Sequence, residues 1–486
     1  MIGFGYSAFF LLNAVIAIVA LVAFARWSPS RAGGLRAVGQ RAARQGVGCR
    51  RRRLDGVTDD PTALPATELS ARIARRDLSA VDATTAYLER IKRLNPQLNA
   101  VIHVDVERAL RAARRRDARG SPAGPLHGVP MTLKDSHRVA GFPTIVGNPD
   151  APTRSSRTDG VVAARLRAAG AIVIGKTNVA RDLGDFQTDN PVFGRTNHPS
   201  DPARTPGGSS GGAAAALAAR LTPLEVGSDI AGSVRIPAAF CGVIGLKPTA
   251  GAIPLGGHVT EPVAHSRGGG VGAIATIGPM ARTIDDIDLL LSVLTGRAGD
   301  EPSFSPGDLT LGVLPGLPGL RVAAEIVTAV QRLGESAALS GANVEIVDPP
   351  MDARAMHDAY VRMYGAAARH GARWSTRTPG VHRLQQAVVA AWNDLLLRFD
   401  AILLPAAMCG PFPHRQTGAP IEVDGAPTPY WELLRHTEPF NLTGLPAISF
   451  PSPNDANGLP VGVQLVAAHG RDRWLVSAAR WMAQGR

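Results

Sequence analysis

The chain has 486 residues, 45% hydrophobic and 19% charged, which is length for two or three domains and apolar content for a large core. Its formal net charge of +12 is concentrated: nine arginines between Arg26 and Arg53, with no Asp, Glu or Lys among them, leave +3 for the rest. The main body has no interleaved basic and aromatic pattern, which argues against nucleic-acid binding, and Cys49, Cys241 and Cys409 lack metal or CxxC spacing and read as structural thiols.

Residues 1–25 are apolar and uncharged. They are long enough for a membrane-spanning helix, which takes about 20 residues. The arginine block that follows would then lie on the cytoplasmic side with the rest of the chain, as the positive-inside rule requires. Three other readings stay open, one of them a loosely attached hydrophobic tail. Ala23-Phe24-Ala25 resembles a signal-peptide cleavage site, although a basic stretch before it is missing, and the segment could be a start-site artefact in a cytoplasmic protein. Residues 26–55, rich in Arg and Gly, read as a tether.

A folded domain is expected over 56–486. Ser79 followed by Asp82 marks a helix start, and Asn95-Pro96 its end near Arg93. Strands are expected at 101–104, 128–133 and 171–174, and helices at 106–119, 160–169 and 213–219. Further on come a strand at 310–314, a helix at 323–333, a strand at 344–347 and helices up to Phe399. Strands at 401–404, 447–450 and 461–466 close the chain. Strand and helix patterns mix along the whole length, which predicts one layered α/β domain.

Gly170 to Thr177 matches the G-x4-G-K-T phosphate-loop pattern. A phosphate loop needs a strand before its first glycine and a helix after its last residue. Here the four variable residues are themselves a β-branched strand, so nucleotide binding is rejected.

The chemistry-bearing residues lie in three short segments: GVPMTLKDS with Lys134, GGSSGG at 207–212, and GSDIAGSVRIPAAFCGVIGLKPT at 227–249. Amide hydrolysis needs an activated nucleophile, an oxyanion site and a proton for the leaving amine. Ser233 sits among small residues, where backbone N–H groups of Ile230, Ala231, Gly232 and Ser233 can approach a developing oxyanion. Ser209, in a glycine turn, can relay a proton. Lys134 can act as base only if burial keeps it neutral, and Met131 and Leu133 suit such burial. Each segment alone has a bland reading: a solvated lysine, or a flexible glycine–serine linker. Their order and setting favour serine-based acyl transfer.

At these residues the chain resembles the amidase signature family. The likeness runs from about Thr67 to Val466. It includes GKTNVARDLGDFQTDNPVFGRTNHPSDPARTPGGSSGG before the serines, the signature segment itself, IGPMARTIDDIDLLL, and EPFNLTGLPAISFP with GLPVGVQLV. The resemblance implies an α/β fold with a central mixed twisted sheet covered by helices on both faces. It implies a Ser–cis-Ser–Lys triad, with Ser233 as nucleophile, Ser209 as the cis-serine and Lys134 as general base and acid. Ser210 would support the network, and Asp229 and Arg235 would brace the loop. No metal or cofactor is implied. Ala231 stands where the family usually has glycine.

The expected reaction converts a small-molecule amide into a carboxylate and an amine or ammonia. Two alternatives stay open: the glutaminase subunit of a tRNA-dependent amidotransferase, against which the lack of an MDEF-type segment after Asn178 counts, and a non-catalytic membrane-associated binding protein. A homodimer is also left open. Cys241 reads as a packed core thiol, and His127 and His137 as local structure. Asp185, Gln187 and Asn190 are read as pocket or turn residues. Residues 296–435 are least like the signature, and Tyr360, Met363, Trp374 and Trp392 are read as pocket walls or as helix packing. The apolar segment ahead of such a domain resembles the layout of fatty acid amide hydrolase, which suggests a lipophilic amide.

Overall fold

The structure is a computed structural model that describes residues 60–260, 272, 274–297, 304–370, 373–452 and 458–484. The expected anchor, the tether and Cys49 lie outside the described residues. No described helix is long and apolar enough to cross a membrane. The described residues from Asp60 onward form one compact unit.

Short polar side chains start the early helices. Ser79 Oγ accepts the Asp82 N–H at 2.9 Å ahead of the helix Ala80–Leu98, and Asp105 accepts the Arg108 N–H at 2.9 Å ahead of Val106–Asp117. The first of these helices does not stop before Pro96, as the sequence suggested; Pro96 lies inside its last turn and Asn99 closes it with φ 51°. A proline this late forfeits only its own bond to the preceding turn. Asn95 then fixes the exit, its Oδ1 accepting the N–H groups of Ala100 at 2.9 Å and Val101 at 2.8 Å.

A three-stranded sheet contains β1 (Val101–Val104), β2 (Pro130–Lys134) and β3 (Ile172–Thr177), in the order β1-β3-β2. Eight strands form the main sheet: β4 (Leu224–Asp229), β5 (Ile244–Lys247), β6 (Thr276–Ala281), β7 (Thr310–Val313), β8 (Asn343–Ile346), β9 (Ala401–Pro405), β12 (Ala447–Pro451) and β13 (Gly462–Ala467). Their order is β4-β6-β5-β12-β13-β9-β7-β8. Pairing is antiparallel from β4 to β9 and parallel through β9, β7 and β8, so the sheet is mixed. Strand β2 of the smaller sheet runs beside β4. Strands β2 to β6, β9 and β13 are buried at every position, the pattern of a sheet covered on both faces by helices. A small hairpin, β10 (Ile421–Val423) with β11 (Ala426–Thr428), stands apart.

The expected strands at 101–104, 401–404 and 461–466 fall within about one residue of β1, β9 and β13. The helix Arg235–Cys241 was not anticipated, because all seven residues are buried and show no amphipathic period. The phosphate-loop look-alike is strand β3. Its Lys176 is buried, bonded to Asp135 Oδ1 at 3.0 Å and to the carbonyls of His137 at 2.9 Å and Pro143 at 3.2 Å.

On β13, Gly462 meets the helix Arg235–Cys241 so closely that a Cβ would overlap Ala239. Gly462→Ala is expected to destabilise the fold by about 1–3 kcal/mol, the usual cost of overpacking a core, measured as a lowered midpoint in chemical unfolding.

Candidate active site

Lys134 is the last residue of β2 and is fully buried. Its Nζ lies 2.9 Å from Ser209 Oγ, 3.0 Å from Ser228 Oγ and 3.2 Å from the Ser228 carbonyl. Burial lowers its pKa to about 7, against the opposing pull of Asp229 and Glu225. A neutral amine has two N–H donors and one lone pair. Three polar neighbours match that inventory when Ser228 accepts both N–H bonds and the Ser209 hydroxyl donates to the lone pair.

The Gly208–Ser209 peptide is cis. Gly208 is crowded by the segment 185–187, since a Cβ would lie 2.6 Å from the Asp185 carbonyl oxygen. Ser210 follows as the N-terminal boundary of the helix Gly211–Ala218. Its N–H donates to the Ser233 carbonyl at 3.2 Å and its hydroxyl to the Ser228 carbonyl at 3.4 Å, so it ties the glycine–serine turn to both β4 and the Ser233 loop.

Ser233 lies on the turn between β4 and the helix Arg235–Cys241 and is 8% exposed. Asp229, the last residue of β4, organises this turn. Its carboxylate accepts the N–H groups of Gly232 at 2.8 Å and Val234 at 3.1 Å, and pairs with Arg235 at 2.9 Å. Burial alone would raise its pKa, but the Arg235 guanidinium and these N–H donors hold it well below the ordinary carboxylate value. Arg235 also donates to Gln464 Oε1 at 3.1 Å and to Asn441 Oδ1 at 2.6 Å, and so joins β13 and the helix Glu438–Thr443 to the turn.

Of the four backbone N–H groups expected to face an oxyanion, that of Gly232 is turned to Asp229 instead. Gly232 has φ +117°, and a Cβ on it would meet Thr437 Oγ1 at 2.5 Å. Ala231 is outside the left-handed region, so its methyl carries no backbone penalty. It packs with Ile230 against a buried apolar cluster.

Tyr360, Met363, Trp374 and Trp392 belong to that cluster as core residues. Asp185 and Gln187 line a surface groove with Arg181, Asp189, Arg195 and Arg415, yet their side chains hold other chain segments. The hydroxyls of Thr417 and Tyr430 donate to Asp185, and Gln187 bonds both the N–H and the carbonyl of Arg415. Asn190 is a turn residue, accepting the N–H groups of Val192 and Phe193. Cys241 is buried in the core. His127 accepts the Ala123 N–H at 3.0 Å, and buried His137 stacks edge-on against His258. Sequence reasoning missed Ser228, whose place in GSD two residues before Ile230 was the available signal. It also missed Tyr360 and Thr437 as partners of the loop carbonyls, which no local pattern announces.

The arrangement can carry a proton from a serine hydroxyl to a neutral amine in a site shielded from water. The amidase family model matches residues 82–378 and 366–476. The chain is 32% identical over 477 residues to an acylamidase of Rhodococcus erythropolis, covering 86% of this chain and 94% of that protein. It is 32% identical over 471 residues to a glutamyl-tRNA(Gln) amidotransferase subunit of Thermus thermophilus, covering 85% and 95%. A crystal structure of an amidase superposes with a TM-score of 0.76 at 27% identity, over 87% of this chain and 99% of that one. The chain belongs to the amidase signature family. It is an amide-hydrolysing enzyme.

Replacing Arg235 by Met leaves Asp229 charged and buried without its partner. Arg235→Met is expected to cost about 3–5 kcal/mol in thermal or chemical unfolding, and the double variant Asp229→Asn/Arg235→Met less than the sum of the single changes.

Proposed function

We propose that the enzyme cleaves a carboxylic amide through an acyl-serine intermediate on Ser233, with Ser209 as proton relay and Lys134 as general base and then acid. The observation that carries this reading is a fully buried Lys134 whose Nζ sits 2.9 Å from Ser209 Oγ, with a pKa lowered by burial to about 7. A charged ammonium could not accept a proton; a neutral amine held against a serine can.

Ser233 Oγ attacks the amide carbon while its proton passes through Ser209 to Lys134. The carbonyl oxygen becomes an oxyanion beside the N–H groups of Ile230, Ala231 and Ser233. The C–N bond then breaks as Lys134, now an ammonium, returns the proton through Ser209 to the departing nitrogen. A water molecule repeats the sequence on the ester, releasing the carboxylic acid and restoring Ser233. Ser210, Asp229 and Arg235 hold the two serine turns in place and take no part in bond making.

A second reading, the glutaminase component of a tRNA-dependent amidotransferase, draws support from the Thermus thermophilus relative. The two part on substrate and partner. Turnover of anilide or alkyl amides by the isolated chain favours the first. Glutamine turnover confined to a complex with further amidotransferase components favours the second.

Ser233→Ala is expected to abolish fluorophosphonate labelling and to lower amide turnover at least about 10³-fold, as loss of a serine nucleophile does elsewhere. Labelling that persists in Ser233→Ala would overturn the assignment. The pH profile supplies a separate check. Because burial depresses the pKa of Lys134, the active neutral form is populated as pH rises, so kcat/KM should climb through pH about 7 and then level off. Lys134→Met should lose both the activity and that rise.

A further inference from the structure

The turn carrying Ser233 is fixed by bonds to its carbonyl oxygens. The Tyr360 hydroxyl donates to the Ile230 carbonyl at 3.1 Å. The Thr437 hydroxyl donates to the Ala231 carbonyl at 2.6 Å. The Ile236 N–H donates to the Gly232 carbonyl at 2.8 Å. In a trans peptide the carbonyl and the next N–H point in opposite directions. Anchoring these three carbonyls therefore aims the N–H groups of Ala231, Gly232 and Ser233. The Gly232 N–H reaches Asp229 Oδ1 at 2.8 Å. Those of Ala231 and Ser233 are the ones whose direction is set for another acceptor.

Ile236 is part of the local helix, so its bond comes with the turn itself. Tyr360 and Thr437 are different, since they arrive from 130 and 206 residues away in sequence. They are also joined to one another. Tyr360 lies on the helix Ala353–His370, and His357 on that helix contacts the Glu438 carboxylate at 2.9 Å, next to Thr437. Met363 of the same helix lies in one buried cluster with Trp392 and Phe440. Burial raises the Tyr360 pKa well above its ordinary value, so the hydroxyl keeps the proton it donates.

We propose that Tyr360 and Thr437 are positioning residues for catalysis: the Tyr360 hydroxyl holds the Ile230 carbonyl outward and so pre-aims the Ala231 N–H at the oxyanion on substrate attacked by Ser233, and the Thr437 hydroxyl holds the Ala231 carbonyl so that the Gly232 N–H stays on Asp229 and the turn keeps the shape that presents the Ala231 and Ser233 N–H groups. This rests on the acyl-serine reading given above. It gives the region 296–435 a role in transition-state stabilisation, through Tyr360, in addition to its packing.

The test uses the full chain and a fluorophosphonate probe, whose reaction with serine also builds negative charge on an oxygen. The second-order rate of Ser233 labelling should fall about 10-fold in Tyr360→Phe and in Thr437→Val, a part of the 10²–10³-fold that loss of a whole oxyanion donor brings. Thr437→Ser, which keeps the hydroxyl, should label within about threefold of wild type, as a preserved hydrogen bond predicts. For an amide that the enzyme turns over, kcat should fall with KM unchanged, and the rise near pH 7 should stay in place because Lys134 is untouched. Wild-type labelling rates in both Tyr360→Phe and Thr437→Val would overturn the proposal. So would losses that track only the fraction of unfolded protein, or failure of Thr437→Ser to recover. If wild-type protein is labelled no faster than Ser233→Ala, the acyl-serine reading itself fails and this proposal with it; normal wild-type labelling with unaffected variants sinks this proposal alone.

Discussion

Asp229 is a carboxylate buried out of reach of water, and the geometry of the site follows from how it is satisfied. Such a group is costly unless every lone pair finds a donor. Two backbone N–H groups from the Ser233 turn and the forked guanidinium of Arg235 supply them. The turn must therefore curl around the carboxylate, which fixes where Ser233 begins. Arg235 has donors left over. It spends them on Gln464 of β13 and Asn441 of the helix Glu438–Thr443, and these residues reach back to the carbonyls of Pro405 and Asp229. One ion pair thus ties β4, β9, β13 and a late helix to a single turn. Ion pairs of this kind contribute little net stability; what they fix is conformation.

The same dry surroundings that would raise the pKa of Asp229 lower those of the nearby lysines. Lys176 and Lys134 lie one register position apart on neighbouring strands, both fully buried. Lys176 has Asp135 at 3.0 Å and two carbonyls, so burial lowers its pKa against a directly opposing charge. Lys134 contacts two serines and a carbonyl, and the carboxylates of Asp229 and Glu225 act on it only through space. Desolvation wins at both lysines, and at Lys134 no carboxylate in contact opposes it. What separates these two lysines is what they touch, not how deeply they are buried: Lys176 holds a carboxylate, whereas Lys134 faces the Ser209 hydroxyl.

The middle of the chain has a different part to play from the one its aromatic residues suggested. Tyr360, Met363, Trp374 and Trp392 form a core under the Ser233 turn and meet Ile230 and Ala231 from behind. The alanine at position 231 fits this arrangement, since its methyl rests on apolar neighbours and its backbone needs no left-handed conformation. Gly232, one residue on, has no such latitude, with Thr437 and Ile236 against it. Polar residues of the 185–190 segment likewise turn out to be braces for the chain around Arg415 and for their own turn.

By itself the sequence determined the reaction class and pointed to the segments proposed to carry it. Lys134, Ser209 and Ser233 stand in short stretches whose small residues and glycines are dictated by local backbone geometry, and local geometry is written locally. It likewise determined the alternation of strands and helices, and it excluded the phosphate loop, because strand character is a property of a few consecutive residues. Tertiary structure alone decided that Lys134 faces Ser228 as well as Ser209, that the Gly232 N–H turns to Asp229, and that Tyr360 and Thr437 hold the loop carbonyls. Those are pairings between residues 94, 3, 130 and 206 positions apart. Even the shortest of them depends on which way a buried carboxylate points, and that direction is set by Arg235, Asn441 and Gln464 together once the sheet has closed.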